Sequence, residues 1–254
     1  MNGIGQWTLV SYLIERLDVA GTLGATFITV GGVLLCIIIP YLLGSLNFGV
    51  MISRRRFGDD VRAHGSGNAG ATNMLRTYGT KAAVLTLLGD MGKAALAVAL
   101  GYLIVGTNVE LFDEATGSTL RYKDQFGAAI AGLFVMLGHM FPIFFKFKGG
   151  KGVATSGMVI LMISPITCLF CLFVFITIVL GTRYVSLGSI MGLIFYPIIL
   201  TAFSGGQNPT ACMIAVFMAL LVVFMHRENI KRLLNNTESR IDLGRKKKTN
   251  PENP

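Results

Sequence analysis

Long apolar runs alternate along this chain with short segments that hold most of its charge and its glycine-amide clusters. The apolar stretches fall at about 27–52, 81–106, 125–145, 153–164, 166–182, 185–204 and 209–225. Crossing a hydrocarbon core takes roughly 20 helical residues, and most of these runs are long enough. The fourth and fifth share one stretch, "GVATSGMVILMISPITCLFCLFVFITIVLGT", with Pro165 inside it. A proline in a helix interior removes a backbone hydrogen bond and clashes with the preceding turn, so the stretch reads as two short helices. The pattern predicts an all-α integral membrane protein of seven transmembrane helices.

Charge sets the orientation. With the N-terminus outside, the inner segments are 53–80, 146–152, the turn at Arg183 and everything from His226. Together with Lys81 they carry 18 of the 22 Lys and Arg residues, whereas the outer loop 107–124 has four acids and two bases. Six spans would place the "RRR" segment and the basic tail on opposite faces, against the inward bias of positive charge. The C-terminus is therefore expected in the cytoplasm. Residues 1–26 read as a short amphipathic lead-in, 27–241 as the membrane domain, and 242–254 as a disordered basic tail.

Composition agrees: 53% of residues are apolar, 14% are charged, and mean hydropathy is +0.65. The net charge of +9 follows from the inward lysines and arginines and implies no nucleic-acid partner. Cys36, Cys168, Cys171 and Cys212 lie in apolar runs and read as packing residues. The inner-face acids are too scattered for a divalent metal, and no cofactor is implied. The first 25 residues lack the basic start of a cleaved signal.

Three polar motifs fall on the inner face. In "HGSGNAGATNMLRTYG", Gly65, Gly67 and Gly70 permit backbone conformations that aim successive N–H groups into one concavity. Ser66, Asn68, Thr72 and Asn73 add neutral donors, Arg76 adds a forked cation, and a helix starting near Ala71 would aim its N-terminus at the same anion. In "FKFKGGKGVATS", Lys146, Lys148 and Lys151 accompany Gly149, Gly150 and Gly152, and a helix begins near Thr155. This is not a nucleotide P-loop, because Phe145 replaces the first glycine and Gly152 the hydroxyl residue. In "MHRENIKRLLNNTESRI", His226 and Asn229 share a face, and Glu228 is placed to pair with Arg232. Ser186 and Ser189 sit one turn apart at the same edge, while Asp90, Lys93 and His139 lie within spans and read as structural polar groups.

Taken in order, "GSLNFG", "DVRAHGSGNAGATNMLRTYG", "GHMFPIFFKFKGGKGVAT", "TRYVSLGS" and "HRENIKRLLNNTE" resemble the bacterial acyl-phosphate:glycerol-3-phosphate acyltransferases, from about Gly44 to Ile241. One departure is Asn47, where the family pattern leads one to expect proline.

The resemblance implies acyl transfer from acyl phosphate to the 1-hydroxyl of glycerol 3-phosphate, the first step of phospholipid synthesis. It places the active site on the cytoplasmic face of the bacterial inner membrane, among membrane lipids and with no obligate protein partner. Ser66, Arg76, Lys151, His226 and Asn229 are the implied catalytic set. Gly65, Gly67, Asn68, Gly70, Thr72, Asn73, Lys148, Gly149, Gly150, Gly152, Ser186 and Ser189 are implied to bind substrate. His226 can serve either as general base or as donor to a phosphate. The His-x4-Asp dyad of soluble-type glycerolipid acyltransferases is missing, since Ala69, Phe144 and Lys231 stand five residues after the three histidines. An anion transporter would instead place its binding groups near the midplane between inverted repeats.

Overall fold

Helices in this protein stop at residues that cap the next helix or cannot continue the last. A computed structural model describes residues 8–105, 107–113, 118–205 and 209–241; the basic tail 242–254 lies outside them. Helix α1 (Leu9–Arg16) is capped by Thr8 in a reciprocal box with Ser11, and its Val10 packs with Cys36, Ile104 and Val105. The lead-in is thus docked on the bundle. Helix α2 (Leu23–Gly44) starts earlier than the apolar pattern predicts. It breaks at 45–47, and α3 (Phe48–Phe57) follows. The break is where Asn47 departs from the family pattern: its Oδ1 accepts from Val50 N at 3.1 Å and caps α3.

A polar loop leads to α4 (Ala71–Tyr78) and the long α5 (Thr80–Val105). The helical class is interrupted next by an antiparallel hairpin, β1 (Thr107–Asp113) with β2 (Ser118–Asp124), where only an outer loop was expected. Helix α6 (Phe126–Met140) leads through the glycine-lysine loop to α7 (Val153–Ile163). Ser164 then ends α7 and caps α8 (Pro165–Thr182). Pro165 occupies the first position of α8, where its missing N–H costs nothing. The proline therefore separates two helices, as its position in the sequence predicts. Helices α9 (Val185–Ser204), α10 (Pro209–Met225) and α11 (Arg227–Leu234) complete the chain, with α10 and α11 bent by 58° at His226.

Among the described residues, five helical segments are long and apolar enough to cross a membrane, or six if the bent α10–α11 pair counts as one span. Helix α7 does not qualify alone: its 11 residues rise roughly 16 Å. Its end nevertheless reaches the level of the hairpin. Gln125 Nε2 donates to Ile163 O at 3.1 Å, and Tyr102 OH donates to Met162 O at 3.4 Å. From that level His139 lies roughly 21 Å along α6, whereas Thr80 lies roughly 33 Å beyond Tyr102 along α5. The end of α6, where the loop to α7 begins, is consequently recessed by about 12 Å below the start of α5.

Outward faces carry exposed Leu88, Leu103, Phe173, Leu180 and Leu220, while Val98, Met136, Val159, Tyr196 and Met218 are buried between helices. Lipid is as apolar as these side chains, so close packing has to supply the association. Helices α2 and α6 approach through Gly44 and Gly138, where an added Cβ would collide with Val135 O and Tyr41 O. That contact brings the end of α2 against the end of α6, directly beneath the polar loops.

Candidate active site

The glycine loop before α4 is built around one side chain. Asn73, buried on α4, shares its amide N–H groups among Val61 O, His64 O and Asn68 O at 2.9–3.0 Å, and its Oδ1 accepts from Ser66 N at 3.0 Å. Gly65 has φ +56 and backs onto Asn73 Oδ1, which a Cβ would strike. Asn73 therefore shapes the loop from behind, with all its polar atoms engaged, and is not free to grip a ligand. Asn68 Oδ1 accepts from Gly70 N at 2.9 Å, closing the turn into α4. Gly70 caps α4 without a side-chain acceptor, and this leaves the first helical N–H groups open.

The second loop repeats the device. Gly149 N donates to Met140 O and Gly150 N to His139 O, both at 3.1 Å, so the chain folds back on the end of α6. Gly150 lies against the His139 ring with no room for a Cβ. Gly152, at φ +80, caps α7 with no side-chain acceptor. The helix starts two residues earlier than predicted. Two uncapped N-termini, each following a glycine turn, thus border one hollow.

That hollow is a cavity of about 980 Å³ lined by Gly65, Ser66, Asn68, Gly70, Thr72, Asn73, Arg76, Lys151, Gly152, Ser186, Ser189, His226 and Asn229. Four chain segments predicted to cooperate meet there. Gly67, Lys148 and Gly149 do not: they line a shallower hollow of about 550 Å³ with Asp60, Arg62 and Lys146. Gly150 is buried behind the loop. The main cavity also has an apolar flank of Leu75, Ala83, Val84, Leu87, Leu172, Phe175 and Val185. Val84, Leu87 and Leu172 are 38–47% exposed, so this flank is open toward the lipid-facing surface.

Sequence reasoning missed Glu238 and misplaced Arg232. Glu238 accepts from Ser186 Oγ at 2.9 Å, Asn229 Nδ2 at 2.7 Å and Arg232 Nε at 2.7 Å. Glu228 pairs instead with Lys231 at 3.2 Å. The i, i+4 rule sees only the helix, and Glu238 comes from the chain that folds back after it. Burial opposes ionisation of Glu238, but its bonds to Arg232, Asn229 and Ser186 hold its carboxyl below the usual range.

Lys151 donates to Asn229 Oδ1 and joins the same network. Burial pushes its ammonium down to about 8; nearby Arg232 adds to this, Glu238 opposes it, and Arg76 adds a smaller push. Among the described residues Arg76 has no acidic partner, leaving its fork available. His226 Nδ1 donates to Val222 O at 2.8 Å, which leaves Nε2 with the lone pair. Burial, reinforced by Lys151, brings His226 down to about 4, so the ring is neutral near pH 7. The cavity therefore presents Arg76 and Lys151, a third cation, Arg232, that is paired with Glu238, two helix starts and the neutral His226 ring.

A family model for glycerol-3-phosphate acyltransferase matches residues 34–236. The chain belongs to the glycerol-3-phosphate acyltransferase family. It is 39% identical over 210 residues to the glycerol-3-phosphate acyltransferase of Clostridioides difficile, covering 83% of this chain and 95% of the relative. The Paraburkholderia phytofirmans enzyme is 42% identical over 216 residues, covering 85% and 92%. A crystal structure of PlsY, an integral membrane glycerol 3-phosphate acyltransferase, in its glycerol 3-phosphate form superposes with TM-score 0.70 at 38% identity, covering 83% of this chain and 96% of that one. Its lysophosphatidic acid form gives 0.68 at 36% identity, with 83% and 95% covered. As a glycerol-3-phosphate acyltransferase, the protein is a multi-pass membrane enzyme, and its cavity-forming segments lie in or directly beside the matched residues.

Proposed function

We propose that the protein transfers a fatty acyl group from acyl phosphate to the 1-hydroxyl of glycerol 3-phosphate, giving lysophosphatidate and inorganic phosphate. The observation that carries this reading is the meeting of two uncapped helix N-termini, Arg76 and Lys151 in one cavity that also has an apolar flank. Two phosphates and one acyl chain are what such a cavity accommodates. The solved relatives are described in glycerol 3-phosphate and lysophosphatidic acid forms, in line with this acceptor and product.

In the reaction the glycerol 1-oxygen attacks the acyl carbonyl carbon, and the bond from that carbon to the phosphate oxygen breaks. The hydroxyl proton passes to His226 Nε2 or to the departing phosphate. An acyl phosphate is already activated, so the chief demand is to hold two anions together and align hydroxyl with carbonyl. Such positioning is worth roughly 7–11 kcal/mol. Arg76, Lys151 and the open N–H groups of α4 and α7 offset the paired negative charge, and the same donors stabilise the developing oxyanion. Ser66 and Thr72 border the first loop's site; Ser186 and Asn229, held by Glu238, border the second. Asn73, Gly67 and Gly150 support the loops without reaching the substrates, and Lys148 attracts anions at the rim. Leu87, Leu172 and Phe175 take the start of the acyl chain.

The reading includes seven passes with the site at the cytoplasmic face of the bacterial inner membrane. Helix α7 starts at the recessed loop and ends level with Gln125, and the positive charge gathers at the site end. Purified enzyme given defined acyl phosphate should release phosphate and form lysophosphatidate only when glycerol 3-phosphate is present. Turnover with acyl-CoA and none with acyl phosphate overturns the donor assignment.

A further inference from the structure

Lys93 is a buried cation on α5 that does not itself line the cavity, although its partners Asp90 and His139 reach the cavity floor. Its Nζ lies 2.8 Å from Asp90 Oδ1, and both side chains are no more than 3% exposed. Pairing accounts for the tolerance of two charges inside the bundle, but Lys93 reaches further. It donates to Gly44 O at 2.9 Å and Leu46 O at 2.7 Å, carbonyls that the break between α2 and α3 leaves without helical partners. It also lies 3.0 Å from His139 Nδ1.

Each contact leads to one of the two anion-binding loops. Beyond the break, Gly49 of α3 packs on Ala69 O so closely that a Cβ would collide, and Ser53 Oγ accepts from Val61 N at 3.2 Å. Helix α3 thereby fixes both ends of the loop that opens α4. His139, in turn, carries the Gly149–Gly150 loop on its backbone and ring, one residue before Lys151.

A second tie crosses at the surface. Arg62 stands just before the first loop, anchored to Asp60 by Nε and Nη2 at 2.9 and 2.7 Å. Its Nη1 donates to Phe145 O at 3.1 Å and Lys148 O at 2.7 Å, both backbone atoms of the second loop. Arg62, like Lys93, lies outside the main cavity.

We infer that Arg62 and Lys93 are positioning residues that hold the two phosphate-binding loops in register, one from the surface and one from below. The inference rests on the proposed reaction, in which each loop binds one substrate's phosphate. Loss of a tie leaves each loop able to bind its own anion but moves hydroxyl and carbonyl apart. A misplacement of about 1 Å costs on the order of 100-fold in rate.

The test measures kcat and KM for glycerol 3-phosphate per folded enzyme in Arg62→Gln, Arg62→Lys, the paired Asp90→Asn/Lys93→Gln variant, and their combination. Replacing the buried pair together leaves no lone charge inside the bundle. Arg62→Gln should lower kcat 10- to 100-fold with KM changed less than threefold. Arg62→Lys should do the same, because an ammonium cannot serve Asp60 and two carbonyls in that geometry. The combined variant should be far less impaired than the product of the separate losses. Unchanged kcat in Arg62→Gln, full recovery in Arg62→Lys, or a rise in KM with kcat intact overturns the inference. If the buried pair variant does not fold, the Arg62 series decides alone. A wild-type enzyme silent toward acyl phosphate indicts the donor assignment, and the same series is then run with whichever acyl donor supports turnover.

Discussion

Lys151 offers the most direct check on the electrostatics of the site. Its ammonium is held down to about 8 by burial first, then by Arg232 and Arg76, with Glu238 opposing. In free enzyme it is then charged in about 90% of molecules at pH 7 and about 10% at pH 9. A phosphate at contact distance reverses the balance. One negative charge about 4 Å away, at an effective dielectric near 20, favours the ammonium by about 4 kcal/mol, roughly three pKa units. The alkaline limb of kcat/KM, which reports free enzyme, should therefore fall near pH 8. The limb of kcat, which reports the bound complex, should move beyond pH 10. Lys151→Arg, whose cation does not titrate, should erase the limb near pH 8 even if it lowers the rate. Steady-state rates from pH 6.5 to 10 in wild type and Lys151→Arg decide the matter. Coincident limbs for kcat and kcat/KM, or a pH 8 limb that survives in Lys151→Arg, would refute the assignment of Lys151 to a substrate phosphate. The stability sign is opposite to that of an ordinary paired lysine. A lowered pKa means the unfolded chain binds the extra proton between about 8 and 10.5, so folding stability contributed by this group rises with pH there.

Other outcomes follow from the same geometry. Gly150→Ala must displace the loop from His139 and should cost more than 100-fold in turnover, with folding yield followed by gel filtration. Glu238→Gln leaves Arg232, Asn229 and Ser186 with a weaker acceptor; it should lower thermal stability by about 1–3 kcal/mol and reduce phosphate release, read by melting and rate measurements on one preparation. In a cysteine-free background, single cysteines at Arg55 and Ser239 should react with a membrane-impermeant maleimide only after the cell is opened. A cysteine at Thr119 should react in intact spheroplasts, and labelling of Arg55 and Ser239 on opposite sides would sink the seven-pass topology.

The polar motifs were legible because glycine, amide and cation at short spacing have few uses inside an apolar chain. The break at Pro165 was equally legible, since a missing N–H is a local fact. Other features were not. Asn73 reads as one more donor in a polar loop, and only the turn around it shows that its amide faces inward. The i, i+4 pairing of Glu228 with Arg232 is the default on an isolated helix, and the returning chain replaces it by delivering Glu238. Lys148 and Gly149 are neighbours of Lys151 in sequence, but the fold-back onto His139 turns them toward a different hollow.

Sequence alone determined that the chain is a membrane-embedded helical enzyme, where its helices are punctuated, and which residue types gather at the positively charged face. These depend on composition and on interactions a few residues long. Tertiary structure decided which of those residues share a cavity, that the loop between α6 and α7 is recessed, and that Lys93 and Arg62 tie two distant loops together. Such contacts join positions tens of residues apart, and their distances are set by how closely helices pack through residues such as Gly44 and Gly138, which no local pattern encodes.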